Sequence, residues 1–279
     1  MVRALFIAAV FFTMTPLLVS LQWLLGKLKL SGWGFIASSY YRVLCWLLRI
    51  RVCVNGKPER SRPVLFVSNH VSWVDIVVIG SIAPVAFVAK REVASWPLVG
   101  FTAKIQRTVF VDRTRRNQTG EAVVEIVKRL ASGTSVVLFA EGTSSDGNRV
   151  LPFRSALLGA VEETGSRDGN EGIPIQPMSI CYTGQQGIPM GRQHRPLVAW
   201  YGDLDFMPHI KAFIKQGAVD ALVTYGAPVA TDSGIDRKAM TKRLESAVRQ
   251  LLTGALRGRP LALPAEQPAL ILGQGPVKS

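Results

Sequence analysis

From Ala4 to Gly26 the chain carries no charged residue, and about 20 apolar residues in helical form cover the roughly 30 Å hydrocarbon core of a bilayer. The pattern predicts a helix able to enter a membrane. A cleaved secretory signal begins in a similar way, but its apolar region runs about 7–15 residues before a small-residue cleavage site. Here Leu17, Leu18, Leu21, Trp23, Leu24 and Leu25 prolong the run instead, which favours a retained anchor. A second apolar stretch, Trp33 to Ile50, is interrupted by Arg42 and Arg49, flanked by Lys27, Lys29, Arg51 and Lys57, and interleaved with Trp33, Tyr40, Tyr41 and Trp46. Mixed aromatic and cationic side chains suit the headgroup level of a leaflet; an amphipathic helix packed on a globular body is the plainer alternative. Arg3 on one side and Lys27 and Lys29 on the other give opposing positive-inside cues, so spanning and lying in one leaflet both stay open.

From about residue 52 the pattern changes to short β-branched runs alternating with helical stretches, the signature of an α/β layer architecture. Candidate strands are Val64–Ser68, Val85–Ala89, Thr108–Val111, Ser135–Ala140, Ile175–Ile180, Leu197–Trp200 and Ala221–Tyr225. The clearest helix is Thr119–Ser132, with Ala122, Val123, Ile126, Val127 and Leu130 on one face, Thr119 to cap its start and Gly133 its end. Asp236–Leu252 is a second, with Met240, Leu244, Val248, Leu251 and Leu252 on its apolar side. After Gly254 periodicity ends, which predicts a loose tail. The organisation is therefore an anchor over residues 1–55, a main domain over 56–255 and a tail over 256–279.

Composition sharpens this picture. The chain has 279 residues, 48% apolar and 19% charged, with a net charge of +14 and a mean hydropathy of +0.23. Disorder requires low hydrophobicity together with high net charge, so a disordered polycation is excluded. An oily, basic chain suits a partner that is itself oily and anionic, a phospholipid surface, with nucleic acid as the rival. Residues 1–62 hold nine Lys and Arg against the single acid Glu59, a net +8 of the +14. The excess sits beside the apolar segments, and that favours the membrane. Cys45, Cys53 and Cys181 form no C-x-x-C pair, so neither a disulfide framework nor a zinc site is indicated.

The chemistry-bearing residues follow strand candidates. Ser68-Asn69-His70-Val71-Ser72-Trp73-Val74-Asp75 begins where a strand ends, the place where α/β folds put reacting groups. If His70 lies in the turn and Asp75 in the first helical turn, the carboxylate accepts one imidazole N–H and fixes the tautomer, leaving the other nitrogen to take a proton from a hydroxyl. Spacing alone favours a histidine that caps a helix or is satisfied in the core. A second polar turn, Glu141-Gly142-Thr143-Ser144-Ser145-Asp146-Gly147, follows Ser135–Ala140. Its glycines allow close backbone approach to a ligand and its hydroxyls can bind oxygens, although a calcium loop or a simple tight turn has the same look. It is not a G-x-S-x-G nucleophile elbow, and no G-K-[ST] phosphate loop occurs. Neither turn brings the further ligands a closed metal site needs. His194 and His209 read as structural or surface residues, and Trp96, Leu98 and Phe101 around Pro97 as core or as the lining of an acyl-chain path.

Taken together, these residues resemble the lysophospholipid acyltransferase family typified by bacterial 1-acylglycerol-3-phosphate acyltransferases, over roughly residues 60–185. The N-H-x4-D motif is matched by Asn69, His70 and Asp75, and F-I-D-R by Phe110-Val111-Asp112-Arg113. E-G-T-R-S is matched by Glu141, Gly142, Thr143 and Ser145, with Ser144 where arginine is expected. L-P-F-K-x-G appears as Leu151-Pro152-Phe153-Arg154-Ser155-Ala156, and V-P-I-I-P-V as Ile173-Pro174-Ile175-Gln176-Pro177-Met178. The resemblance implies an α/β fold with a central mixed sheet flanked by helices behind a two-helix membrane anchor. It implies acyl transfer in which His70, oriented by Asp75, deprotonates a lysolipid hydroxyl that attacks an acyl thioester. Arg113, Arg154 and the loop Glu141, Gly142, Thr143, Ser144 and Ser145 are then the acceptor-binding residues. No cofactor or metal is expected beyond the acyl donor, an acyl carrier protein or coenzyme A thioester, and no nucleic acid. The expected location is a bacterial inner membrane, with the catalytic part facing the cytoplasm.

Ser144 bears on the acceptor, because an arginine clamping a phosphate monoester is costly to lose. The E-G-T-S-S-D-G variant, with Tyr182-Thr183 and the segment Gly187 to Asp203, looks like the lyso-ornithine lipid acyltransferase branch, whose acceptor is the hydroxyl of a 3-hydroxyacyl-ornithine. Lysophosphatidic acid is the alternative acceptor, with Arg149, Arg154 or Arg192 able to supply the missing guanidinium. A membrane-tethered nucleic-acid binder and a noncatalytic lipid scaffold are the rival classes.

Overall fold

A computed structural model describes residues 2–28, 32–96, 99–111, 118–156, 158, 173–229, 237–259 and 269–270. Two helices, α1 (Val2–Lys27) and α2 (Trp33–Leu48), precede β1 (Ile50–Asn55), β2 (Leu65–Ser68), α3 (Val74–Ile82), β3 (Val85–Lys90), α4 (Val99–Ile105) and β4 (Val109–Val111). Then come α5 (Gln118–Ala131), β5 (Ser135–Phe139), β6 (Ile175–Gln185), β7 (Ile188–Pro189), α6 (Phe206–Gln216), β8 (Val219–Tyr225), α7 (Arg237–Leu256) and β9 (Ala269–Leu270).

The strands form one mixed sheet in the order β4-β3-β5-β2-β6-β8-β1-β9, with β7 paired to β6. From β4 to β6 neighbours run parallel, and β8 then pairs antiparallel with β6. Alternation along each strand feeds two cores. Phe66, Phe87, Val137, Phe139, Ile180 and Tyr182 face α1, α2, α3 and α6. Leu65, Val67, Ala86, Val136 and Leu138 face α5 and α7, which bury Ile126, Leu130, Leu244 and Val248 against them. Gly80 lets α3 close on α2, since a Cβ there would stand 2.3 Å from the Tyr41 ring.

Two strand expectations change. The first strand is Ile50–Asn55, which pairs in parallel with β8 and precedes the first strand candidate, Val64–Ser68. Leu197–Trp200 is not a strand: Pro196 and the bonds Val198 N→Arg195 O and Ala199 N→Arg195 O wind it into a 3-10 turn, and its apolar character reflects the burial of Val198 and Ala199. Within the segment expected to be a loose tail, Ala269–Leu270 pairs with β1; residues 260–268 and 271–279 lie outside the described residues.

Helix α1 is long and apolar enough, over Arg3–Leu25, to cross a membrane by length and composition, yet it is fastened to the body along its length. Arg3 Nη1 donates to Ile214 O in α6 at 2.8 Å, Thr15 Oγ1 lies 3.1 Å from Tyr40 Oη, and Gln22 exchanges amide contacts with Gln106 beyond α4 at 3.4 and 3.5 Å. Ile7, Thr15, Val19 and Gln22 are buried on one stripe, whereas Leu5, Phe6, Phe12, Leu17, Leu21, Trp23 and Leu24 are exposed on the other. Thr15 and Gln22 turn to the protein, whereas the outer face, apolar apart from Thr13 and Ser20, is exposed among the described residues.

Candidate active site

Strands β2 and β5 are parallel neighbours whose last residues, Ser68 and Phe139, sit in register, so the two polar turns leave the sheet side by side. Past Ser68 the backbones of β2 and β6 part, and the Asn69 side chain continues the ladder in place of the main chain. Its amide donates to Ile180 O and accepts from Ile180 N, both at 2.9 Å. That clamp fixes the point at which the chain releases His70.

Asp75 enters from the first turn of α3 and is fully buried. Its Oδ2 meets His70 Nδ1 at 2.7 Å, Val71 N at 2.7 Å and Ser72 N at 3.0 Å, while Oδ1 accepts from Tyr182 Oη at 2.7 Å. Backbone N–H groups can only donate, so the oxygen they share accepts, and Nδ1 of His70 carries the hydrogen. Nε2 is left as the basic nitrogen. The imidazole stacks on Phe139 with centroids 4.0 Å apart and planes 17° apart, and its side chain is 20% exposed. It is held on one edge and one face while remaining partly exposed. Burial first, and the Asp75 charge second, push the Tyr182 phenol well above its ordinary range, so Tyr182 remains a donor to Asp75.

The second turn is tied to the first. Ser145 N and Oγ both donate to His70 O, at 2.8 and 3.2 Å. Gly142 takes a positive φ of 72°, and a Cβ there would stand 2.8 Å from Arg154 Cδ and Nε; the bare backbone lets the Arg154 side chain cross the loop. Arg154 N is anchored to Ala140 O at 2.8 Å and its side chain is exposed. Thr143 is exposed at the tip of the turn. Glu141 is buried, with both carboxyl oxygens outside hydrogen-bond geometry. The N–H groups of His70 and Leu151 face it without closing on it. Burial first, with the nearby Asp75 charge adding, pushes its carboxyl up to about 9 against the pull of those N–H groups and of Arg249, so Glu141 is neutral near pH 7.

Ser144, at the position where arginine is expected, spends its hydroxyl on the protein by donating to Trp200 O. Trp200 N in turn donates to Val71 O at 2.9 Å, next to His70. The structure thus brings together His70, Asp75, Glu141, Gly142, Thr143, Ser144, Ser145 and Arg154. Arg113 lies outside the described residues, as do Pro97 and Leu98. His209 has the structural place expected of it: Nδ1 accepts from Trp73 Nε1 at 3.0 Å and Nε2 lies 3.0 Å from Ala199 O. Among the described residues there is no cluster of three His, Cys, Asp or Glu able to hold a metal.

Phe139, Tyr182 and Trp200 are the residues that sequence reasoning did not assign. Tyr182 lies 107 positions from Asp75, and nothing local marks it. Phe139 follows from alternation alone only once the strand's neighbours are known.

The arrangement has counterparts in known proteins. The sequence model of the Acyltransferase family matches residues 50–181. The lyso-ornithine lipid O-acyltransferase of Brucella abortus (strain 2308) is 43% identical over 261 residues, 93% of this chain and 97% of that protein. The enzyme of the same name from Rhizobium meliloti (strain 1021) is 41% identical over 254 residues, 91% of this chain and 86% of that protein. The crystal structure of the 1-acyl-sn-glycerophosphate acyltransferase of Thermotoga maritima superposes with a TM-score of 0.64 at 22% identity, covering 90% of this chain and 92% of that one. That likeness speaks for the fold.

Proposed function

The chain belongs to the acyltransferase family, and from that premise we propose that it esterifies the hydroxyl of lyso-ornithine lipid with a fatty acyl group, forming ornithine lipid. The observation that carries the chemistry is His70, stacked on Phe139 and locked through Nδ1 to a buried Asp75. The acceptor hydroxyl loses its proton to Nε2 as its oxygen bonds to the thioester carbonyl carbon. The tetrahedral intermediate then collapses, the C–S bond breaks, and the leaving thiolate takes the proton from the imidazolium. Atoms balance without an acyl-enzyme, because the acceptor supplies the nucleophilic oxygen. The donor is an acyl carrier protein or coenzyme A thioester, and no cofactor takes part.

Two observations support the acceptor. Ser144 offers no guanidinium and is occupied with Trp200 O, and the relatives at 43% and 41% identity carry the name of this activity. Arg154, laid across Gly142, keeps a guanidinium beside the loop for the acceptor's carboxylate. The same Arg154 favours lysophosphatidic acid as a second acceptor. Arg113 is proposed as a further headgroup contact.

The enzyme sits on the cytoplasmic face of a bacterial inner membrane. Its α1, bound to the body at both ends and in the middle, lies along one leaflet rather than across two. The test is acyl transfer by the full chain in detergent with each lysolipid. His70→Ala should lower kcat by about 10²–10⁴-fold, whereas full activity in that variant would remove His70 as the base. Exclusive use of lysophosphatidic acid by the wild type would overturn the acceptor.

A further inference from the structure

The segment that Ser144 tethers carries more than a backbone contact. Trp200 stands at a mean ring separation of 6.2 Å from Trp96 and 5.4 Å from Phe206, and Trp96 and Phe206 are 5.1 Å apart. Phe206 also meets Trp73, within the loop of His70, at 5.9 Å. These rings are only partly buried, although aromatic residues supporting a core are ordinarily sealed in it. The turn is rigid: Trp200 Nε1 donates to Leu204 O at 2.7 Å, and Asp203 and Asp205 are exposed on the same turn and at its exit. Partly exposed aromatic rings on a turn that also carries carboxylates suit a cation better than a phosphate.

We propose that Trp96, Trp200 and Phe206, together with Asp203, form the subsite for the side-chain ammonium of the acceptor. This rests on the lyso-ornithine reading above and names what recognises that headgroup. The acceptor is a zwitterion, with a carboxylate on the α-carbon and an ammonium at the end of the side chain. Arg154 and the aromatic cluster adjoin the same turn at different residues: Arg154 crosses it at Gly142, and Trp200 is bound at Ser144. Each pole of the zwitterion meets its complement. Ser144 is then a positioning residue. Its hydroxyl holds the Trp200 carbonyl, and so the ring, beside the loop of His70, where an arginine would repel the ammonium.

The experiment compares lyso-ornithine lipid with its side-chain N-acetylated derivative, which keeps the carbon chain and the carboxylate, adds a small acetyl group and loses the charge, on the full-length enzyme in detergent. The wild type should show a KM about five- to thirtyfold higher for the acetylated acceptor at similar kcat, the range expected of a cation over aromatic faces. Trp200→Leu and, separately, Phe206→Leu should raise KM for lyso-ornithine lipid toward that value and leave the acetylated acceptor nearly unchanged, which also shows that the variants are folded. Trp200→Phe should restore most of the discrimination. Equal acetylation penalties in wild type and leucine variants would overturn the subsite while leaving the proposed function standing. Equal losses for both acceptors would overturn it too, and make the cluster a bilayer contact. No turnover of lyso-ornithine lipid by the wild type would overturn both.

Discussion

Asp75→Asn separates the two things Asp75 does for His70. In serine proteases the same exchange leaves the histidine in the wrong tautomer and lowers kcat by about 10⁴. Here three donors converge on Oδ2, namely His70 Nδ1, Val71 N and Ser72 N at 2.7, 2.7 and 3.0 Å. An amide NH2 at that place would oppose all three, so asparagine keeps its oxygen there and turns its nitrogen toward Tyr182, whose hydroxyl, 2.7 Å from Oδ1, can rotate to accept. The tautomer survives and only the charge is lost. A carboxylate about 4 Å from an imidazolium contributes up to about 4 kcal/mol at an effective dielectric constant of about 20, and each ~1.36 kcal/mol is tenfold in rate. The expected loss in kcat is therefore about 10²–10³-fold with little change in KM, measured as initial rates at saturating lysolipid. Wild-type kcat in Asp75→Asn would show that the charge is unused. A loss of about 10⁴-fold or more, as in the serine proteases, would show that the backbone clamp does not preserve the tautomer.

Other consequences follow from neighbouring groups. Because the Glu141 carboxyl is pushed from its ordinary 4.5 up to about 9 by burial first, the folded chain holds a proton through that pH range that the unfolded chain releases. Stability therefore falls as pH rises across it, by at most about 1.4 kcal/mol per unit. Glu141→Gln should flatten the curve, seen in denaturation between pH 5 and 9 as a variant that gains on the wild type with rising pH; parallel curves would refute it. Ser144→Arg removes the bond to Trp200 O and adds a guanidinium beside Arg154, so KM should rise for lyso-ornithine lipid and fall for lysophosphatidic acid, each by about tenfold or more; an unchanged ratio of the two would refute the reading of Ser144. Deleting residues 2–27 takes Thr15 away from Tyr40 Oη and strips Phe11, Met14 and Leu18 from the core they pack against, so the shortened chain should aggregate even in detergent, and a dispersed, cooperatively folding product would show that α1 is dispensable to the fold.

How much of this was legible beforehand depends on range. The turn after Val64–Ser68 and the turn after Ser135–Ala140 read as polar breaks after apolar runs, and β2 and β5 proved to be parallel neighbours. The helices Thr119–Ser132 and Asp236–Leu252 matched α5 and α7 within a few residues, because one apolar stripe per helix is a local signal. β1 was hidden because Ile50–Asn55 continues the apolar run of α2, and only its pairing with β8 distinguishes it. α6 was missed because Pro208 stands in its first turn and His209 and Lys211 dilute its pattern, although proline is well tolerated at a helix start. Leu197–Trp200 has strand composition without a strand partner. In the site, the His70 and Asp75 pair needed only the order of two residues along one turn. Tyr182, Phe139 and Trp200 reach it from other strands and from a distant loop, a relation that no local spacing encodes.

The position of the anchor relative to the site has its own consequence. α1, α2, α3 and α6 all cover the same face of the sheet as His70's support Phe139, and α3 carries Asp75. The apolar outer stripe of α1, with Leu5, Phe12, Leu17 and Trp23 exposed, is therefore fixed relative to His70 by a continuous packed layer rather than by a tether. A lysolipid keeps its acyl chain among lipids because removing each CH₂ to water costs about 0.8 kcal/mol. With α1 in the plane of one leaflet, as proposed, a base mounted rigidly against it would meet the acceptor hydroxyl near the depth where such a lipid rests. The basic residues beside α1 and α2, a net +8 over residues 1–62, draw that same layer to an anionic leaflet. Fold and proposed membrane attachment are thus one structure here: the helix that the sequence marks as an anchor is also a wall of the domain that holds His70 and Asp75.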